Sequence, residues 1–211
     1  MRVSIIDYGL SNLLSVEHAF RHLGAEPELI NTPEQIGQAR ALVLPGVGAF
    51  RDGMRRLEGL GLAEPLREAA EKGVPLLGIC LGMQMLFEES EEFGLCRGLG
   101  LVPGRVEAIP PRPGFKVPHI QWEPLWPAGE KKDFSGSFLK EIHPGEEVYF
   151  IHSFRAVPAD RADLAAVTGY GGLEICGAVA RGNVMGCQFH PEKSGPVGLS
   201  ILKGYLSLCG K

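Results

Sequence analysis

Through the first ninety residues, short apolar runs recur between stretches of helical periodicity, and none of the runs alternates with polar residues. Residues 3–6 form the first, stopped by Asp7 and a glycine-containing turn. Leu29-Ile30, residues 41–44 and residues 75–79 form three more. A strand that is apolar on both faces must be covered on both faces, which is the condition of a parallel sheet enclosed by helices. The intervening segments supply those helices. Leu13, Val16, Phe20 and Leu23 recur at helical spacing behind Asn12 in an N-cap position, and Gly24 closes the segment. Residues 62–72 read as an amphipathic helix ended by Gly73, and residues 83–89 as the helix that follows the fourth strand. After residue 95 the texture changes to β-rich pieces separated by Gly and Pro, at 105–109, 116–121, 148–153, 164–168, 175–181 and 184–189. From Val197 onward the chain reads as an amphipathic helix. With no repeat and no low-complexity linker, the expectation is one α/β domain over residues 1–211. Its central sheet is mostly parallel, flanked by helices, with antiparallel additions.

Composition narrows the function classes. The formal net charge is -4 over 211 residues, without a long run of one sign, which argues against nucleic acid or an anionic membrane as the partner. Five cysteines (Cys80, Cys96, Cys176, Cys187 and Cys209) at irregular spacing make no disulfide framework. A reducing, cytoplasmic compartment is therefore expected. Asp7 interrupts the N-terminal apolar stretch before a signal sequence can form, and no run approaches the roughly 20 residues of a membrane helix.

The segment Gly78-Ile79-Cys80-Leu81-Gly82-Met83-Gln84 follows an apolar strand and opens a helix. A residue at such a sharp strand-to-helix turn projects its side chain above the sheet, and glycines two before and two after permit the backbone to double back. The helix start beyond it favours the thiolate. On these residues alone, a buried, inert Cys between two packing glycines fits equally well.

Residues 187–193 read Cys-Gln-Phe-His-Pro-Glu-Lys. Pro191 biases His190 toward an extended conformation, and in an extended chain His190 and Glu192 share one side. The carboxylate then orients the imidazole, completing nucleophile, base and orienter in the order Cys80, His190, Glu192. A solvated surface turn is at least as compatible with those residues taken alone. Cys187 and His190 also have a ligand-like spacing, but no second Cys/His pair supports a metal site. No metal and no cofactor are expected.

Taken together, the two motifs resemble those of the class I glutamine amidotransferases, with residues 78–84 similar to the nucleophile motif and residues 189–192 to the base motif. Further segments occur in order: Asp7-Tyr8-Gly9 with Asn12-Leu13, Pro45-Gly46-Val47-Gly48, Pro118-His119 with Trp122, residues 150–154, and His190 through Ser194. Over essentially the whole chain they resemble the branch formed by the glutaminase subunits of imidazole glycerol phosphate synthase. Ile120-Gln121 departs from the glycine often found beside that Trp. The resemblance implies glutamine as substrate and a heterodimer with a (β/α)8-barrel cyclase that receives the ammonia. It implies an oxyanion hole from Val47, Gly48 and Leu81. It also implies substrate contacts from Gln84, Glu92 and the backbone of His152, Ser153 and Phe154, and a partner interface including Asn12, Trp122 and Lys193. Glutaminases serving pyridoxal phosphate or anthranilate synthesis, and a non-catalytic domain of the same fold, are the competing readings. The intact Cys80, His190 and Glu192 argue against the last.

Overall fold

In the computed structural model, which describes residues 1–210, strand and helix alternate through the first half of the chain. β1 (Arg2–Ile6), α1 (Leu13–His22), β2 (Glu26–Ile30), α2 (Pro33–Gln38) and β3 (Leu42–Gly46) come first. They are followed by α3 (Phe50–Gly59), α4 (Ala63–Glu71), β4 (Leu76–Cys80) and α5 (Leu81–Met85). The second half is strand-rich. It contains β5 (Phe87–Ser90), β6 (Cys96–Arg97), β7 (Val102–Ala108), β8 (His119–Pro124), β9 (Trp126–Pro127), β10 (Glu147–His152) and β11 (Phe154–Pro158). After these come β12 (Leu164–Tyr170), β13 (Leu173–Arg181), β14 (Val184–Cys187), a 3₁₀ turn at Pro191–Lys193 and α6 (Gly195–Leu206).

Eight strands form the central sheet in the order β2-β1-β3-β4-β14-β13-β12-β9. The first five run parallel, and β13, β12 and β9 are added antiparallel. This is the mixed α/β sheet flanked by helices that the apolar runs require. The inner parallel strands β1, β3, β4 and β14 are buried on both faces. Ile6, Leu42, Leu44 and Leu76 pack to one side with Met54, Leu57 and Leu66 from α3 and α4. Val3, Ile5, Val43, Leu77 and Ile79 pack to the other with Val16 and Phe20 from α1 and Ile201 and Tyr205 from α6. Each such aliphatic side chain contributes about 2 kcal/mol by leaving water. The Tyr205 hydroxyl, deep in that second layer, donates to the Leu42 carbonyl at 2.8 Å and ties α6 to the sheet.

Two helices, α2 and α3, lie in segments without a sequence expectation. Thr32 and Gln35 cap α2 reciprocally, with Pro33 at its first turn, a pattern visible in the residues. Two expectations are overturned. Residues 184–189, placed among the antiparallel additions, contain β14, which is buried throughout and pairs parallel with β4 as the fifth strand of the parallel core. The helix placed at 83–89 ends at Met85, and residues 87–90 are strand β5, paired parallel with β7 and antiparallel with β6. Glu88 and Glu89 favour helix only weakly, whereas burying Phe87 and pairing the backbone with β7 act over the whole segment. The β piece expected at 116–121 begins after Pro118, as His119–Pro124.

The tightest packing lies where α5 leaves β4. A Cβ at Gly82 would fall inside van der Waals contact of the Leu44 carbonyl oxygen, and one at Gly78 would lie 2.7 Å from the backbone nitrogen of Met83. Gly82→Ala is expected to cost about 3 kcal/mol, because the obstacle is backbone that cannot move aside. Gly37→Ala, at an open position on α2, is expected to leave stability unchanged or to raise it by about 0.5 kcal/mol. Urea denaturation midpoints of the two variants against wild type check both.

Candidate active site

Strand register assembles the site. Gly46 on β3 lies opposite Cys80 at the end of β4, and Cys187 at the end of β14 lies opposite Ile79. The carboxyl ends of three adjacent parallel strands thus carry the 46–48 loop, Cys80 and the segment leading to His190, the edge of an α/β sheet where ligands bind. Cys80 itself sits at φ 54°, ψ -110°. For a residue with a Cβ this conformation costs on the order of 1–3 kcal/mol and persists only where the surroundings enforce it. Here they do, because α5 is held directly against β3 and β4 by the close approach at Gly78 and Gly82. Cys80 is nearly buried. Its Sγ lies 3.9 Å from the Ile151 carbonyl oxygen and 3.8 Å from Gln188 Nε2, which donates to it. The Leu81 N–H, first in α5, has no intrahelical acceptor.

His190 and Glu192 meet, but not as an extended segment. Only His190 is extended; Pro191–Lys193 is a 3₁₀ turn, with the Lys193 N–H donating to the His190 carbonyl at 3.0 Å. The turn folds the Glu192 carboxylate back, so that its Oε1 lies 2.7 Å from His190 Nδ1, with both side chains buried. Proline supplied the correct first torsion, but the compact turn brings the pair into contact. The backbone is pinned from both ends. The His190 N–H donates to Tyr149 O at 3.0 Å, while Ser194 Oγ donates to His190 O at 2.6 Å and accepts from the Tyr149 N–H at 3.0 Å. Burial pushes the His190 pKa down, yet hydrogen bonds and charge from Cys80 and Glu192 outweigh it and hold the value up at about 9. The arrangement therefore favours an imidazolium between Cys80 and Glu192.

A cavity of ≈ 350 Å³ opens over Cys80 and His190. It is lined by the expected positions Val47, Gly48, Leu81, Gln84, Glu92, His152, Ser153, Phe154 and Lys193, and also by Pro118 and Ile151. Gln84 is buried, and both of its amide hydrogens are used, one on Phe154 O at 3.1 Å and one on Gln188 Oε1 at 3.0 Å. Its own Oε1 is the atom left for a ligand donor. The Glu92 carboxylate reaches the start of α3 and accepts the Phe50 N–H at 2.6 Å, so it is no free helix-surface group. The two loop positions differ. The Val47 N–H is committed to the Leu10 carbonyl at 2.9 Å, whereas the Gly48 N–H has no acceptor among the described residues and Gly48 adopts φ +99°. The Ser153 carbonyl accepts from Ile109 at 2.9 Å, and the Ser153 N–H has no acceptor among the described residues.

Gln188 and Leu10 touch this machinery and carried no signal in the sequence beyond their nearness to the two motifs. Cys187 points away from the cavity. It is wholly buried, donates to the Gly78 carbonyl at 3.8 Å, and burial pushes its pKa well up. No group of three metal-ligating side chains occurs among the described residues. Asn12 is exposed ahead of α1 and makes no capping hydrogen bond with its side chain. Trp122 is 48% exposed on β8, opposite Tyr149 of β10. Both α1 and β10 pack against the 3₁₀ turn that carries Lys193, and of these three positions Lys193 alone lines the cavity.

The profile of the family described as glutamine amidotransferase class-I matches residues 4–205. The chain is 48% identical over 210 residues to the imidazole glycerol phosphate synthase subunit HisH 1 of Legionella pneumophila (strain Lens), covering 98% of this chain and 99% of that protein. It is 46% identical over 210 residues to subunit HisH of Geobacillus kaustophilus (strain HTA426), covering 98% and 96%. Among solved structures, a crystal structure of a glutamine amidotransferase has TM-score 0.75 at 20% identity over 99% of both chains. PurLQS from Thermotoga maritima has TM-score 0.73 at 22% identity over 98% of both. At those identities the structural likeness speaks for the fold alone.

The geometry makes a titration prediction. His190 is expected to titrate near pH 9, and Cys80→Ala or Glu192→Gln is expected to move it down toward the ordinary histidine value near 6.5. Since the folded pKa is raised, this pair's contribution to stability is complete below about pH 6.5 and is lost as pH rises through about 9. Imidazole Cε1–H NMR titrations of the three proteins, with denaturation at pH 6 and pH 10, measure it.

Proposed function

The chain belongs to the class I glutamine amidotransferases, among the HisH glutaminase subunits of imidazole glycerol phosphate synthase, and we propose that its hydrolytic triad is Cys80, His190 and Glu192. The observation that carries the reading is Cys80 in its enforced turn, beside an imidazole held charged by Glu192. Cys80 Sγ attacks the side-chain amide carbon of glutamine. His190, already protonated, gives its proton to the amide nitrogen, which leaves as ammonia, and a γ-glutamyl thioester remains. Water, deprotonated by His190, adds to the thioester carbonyl; collapse releases glutamate and returns the thiolate–imidazolium pair. Glu192 keeps the imidazole oriented and stabilises its charge throughout.

Two N–H donors suit the oxyanion, from Leu81 and Gly48. Val47 enters through the peptide that carries the Gly48 N–H, since its own N–H is spent on Leu10. Glu92 and the free Oε1 of Gln84 suit an α-ammonium, and the unused Ser153 N–H, between His152 and Phe154, suits an α-carboxylate. The cavity lies open to solvent beside exposed Trp122, Ile120 and Ile151. An apolar sheet face at the mouth, flanked by Asn12 and Lys193, supports docking of a (β/α)8-barrel cyclase that receives the ammonia there in a heterodimer. The five free cysteines support a cytoplasmic setting, and the chain acts as one glutaminase domain without a cofactor.

The tie between the Val47 N–H and Leu10 O also supports a switch. Reorienting the glycine-flanked 46–48 peptides changes which donor meets the oxyanion, and one donor alters rate by about 100- to 1000-fold. Docking of the cyclase with its ribulosyl-phosphate ligand selects the competent orientation. Accordingly, glutamine hydrolysis by the chain alone is expected to be slow and to rise by about 100-fold or more with the loaded cyclase. Equal rates in both conditions would rule out the switch. Cys80→Ala is expected to abolish hydrolysis while added ammonia still supports the cyclase; retained glutaminase activity would overturn the triad. Trp122→Ala is expected to weaken cyclase binding by about 2 kcal/mol in calorimetric titration without changing the slow turnover of the isolated chain.

A further inference from the structure

Behind the substrate loop lies a buried histidine pair that the reaction does not use. His119 on β8 is fully buried, and its ring stacks on Tyr170, at a centroid distance of 3.9 Å, and on Phe150, at 5.2 Å. Its Nδ1 lies 3.0 Å from Nε2 of His152, and Nδ1 of His152 lies 2.8 Å from the Phe154 carbonyl oxygen. The hydrogens in this chain are determined by elimination. A carbonyl only accepts, so His152 Nδ1 must carry a hydrogen and donate. Burial pushes the His152 pKa down to about 3, so its ring is neutral and its Nε2 is an acceptor. His119 Nδ1 must then donate to it. Burial likewise pushes His119 down to about 4, leaving its Nε2 bare and without a hydrogen bond, with Glu123 Oε1 at 3.5 Å.

The carbonyl at the far end belongs to the substrate loop. Phe154 O receives His152 on one side and Gln84 Nε2 on the other, and Ile109 holds the neighbouring Ser153 carbonyl. With both carbonyls occupied from behind, the backbone of residues 153–154 is held in place, and the Ser153 N–H that precedes them has no acceptor among the described residues. We infer that His119 is a positioning residue for substrate binding: by donating from Nδ1 it locks the tautomer of His152, which in turn fixes the 152–154 loop that receives the α-carboxylate of glutamine. The inference rests on the proposed reading of that loop as the substrate clamp. Removing the donor leaves a buried His152 Nε2 unsatisfied and frees the ring to turn, so the loss falls on affinity. Cys80, His190 and Glu192 are untouched.

Two substitutions separate positioning from packing. Phe at 119 keeps an aromatic ring between Tyr170 and Phe150 but removes the donor; Asn keeps a donor near the Nδ1 position but removes the stacked ring. His119→Phe is expected to raise the KM for glutamine about tenfold, the effect of one buried hydrogen bond, with kcat within about twofold, while His119→Asn stays nearer wild type in KM. If stacking were the whole role, the order would reverse, and that result overturns the inference. Imidazole ¹⁵N shifts of the full-length wild-type chain provide a readout free of activity and of the variants' folding. Both His119 and His152 are expected as the Nδ1–H tautomer at pH 7, and an Nε2–H signal for His152 overturns the chain of donors. A wild-type protein without glutaminase activity would refute the proposed function, while these spectra would still decide the tautomers.

Discussion

The contact of a two-glycine turn with bare backbone governs this molecule. Gly78 and Gly82 let α5 descend onto β4 and β3 until main chain touches main chain, and Cys80 between them is forced to φ 54°. That single approach sets the height of Cys80 above the sheet and leaves the Leu81 N–H at the start of a helix without an intrahelical acceptor. It also fixes Cys80 relative to Gly46, its partner on β3. A site built on adjacent strand ends inherits the rigidity of the sheet, and the strain at Cys80 is offset by packing that no small local movement can relieve.

Around that turn, the parallel core and the antiparallel half of the chain divide the work. β3, β4 and β14 carry the 46–48 loop, Cys80 and the segment leading to His190; β8, β10 and the start of β11 present a wall of backbone and buried histidines. The electrostatics depend on both. His190 stays charged because its own ring is buried beside Cys80 and Glu192, whose hydrogen bonds and charge outweigh the cost of burial. Its neighbour His152 has no carboxylate beside it, so burial, with His119 and His190 nearby, pushes it to the neutral form against the pull of the Phe154 carbonyl. Two buried histidines within one site thus take opposite charge states, and the difference lies in their partners rather than in their burial.

Much of the site was legible because its parts are local. Glycines spaced two either side of Cys80 at a strand end declare a tight turn, and His190 with Glu192 two residues later declares a pair. The conformation of that pair was nonetheless hidden: a 3₁₀ turn, not an extended segment, closes the 2.7 Å contact. The strand at Phe87–Ser90 was unreadable for a related reason. Its glutamates favour helix, and only the presence of β7 alongside makes strand the better solution. Which of Val47 and Gly48 keeps a free N–H was equally hidden, since the answer depends on the Leu10 carbonyl arriving from another loop.

By itself the sequence determined the layered α/β architecture, four of the five strands of the parallel core, and Cys80, His190 and Glu192 as the residues that meet in one site. Apolar periodicity records burial, and turn chemistry records backbone shape, over stretches of a few residues. The tertiary structure alone decided the register that sets Gly46 opposite Cys80 and the end of β14 beside it. It also decided the partners of Gln84, Glu92 and Val47, the charge on His190 and the hydrogen-bonded line from His119 to Phe154. Each of these is a relation between polar atoms far apart in the chain. Such atoms must be satisfied once buried, but nothing local in the sequence says which distant group will satisfy them.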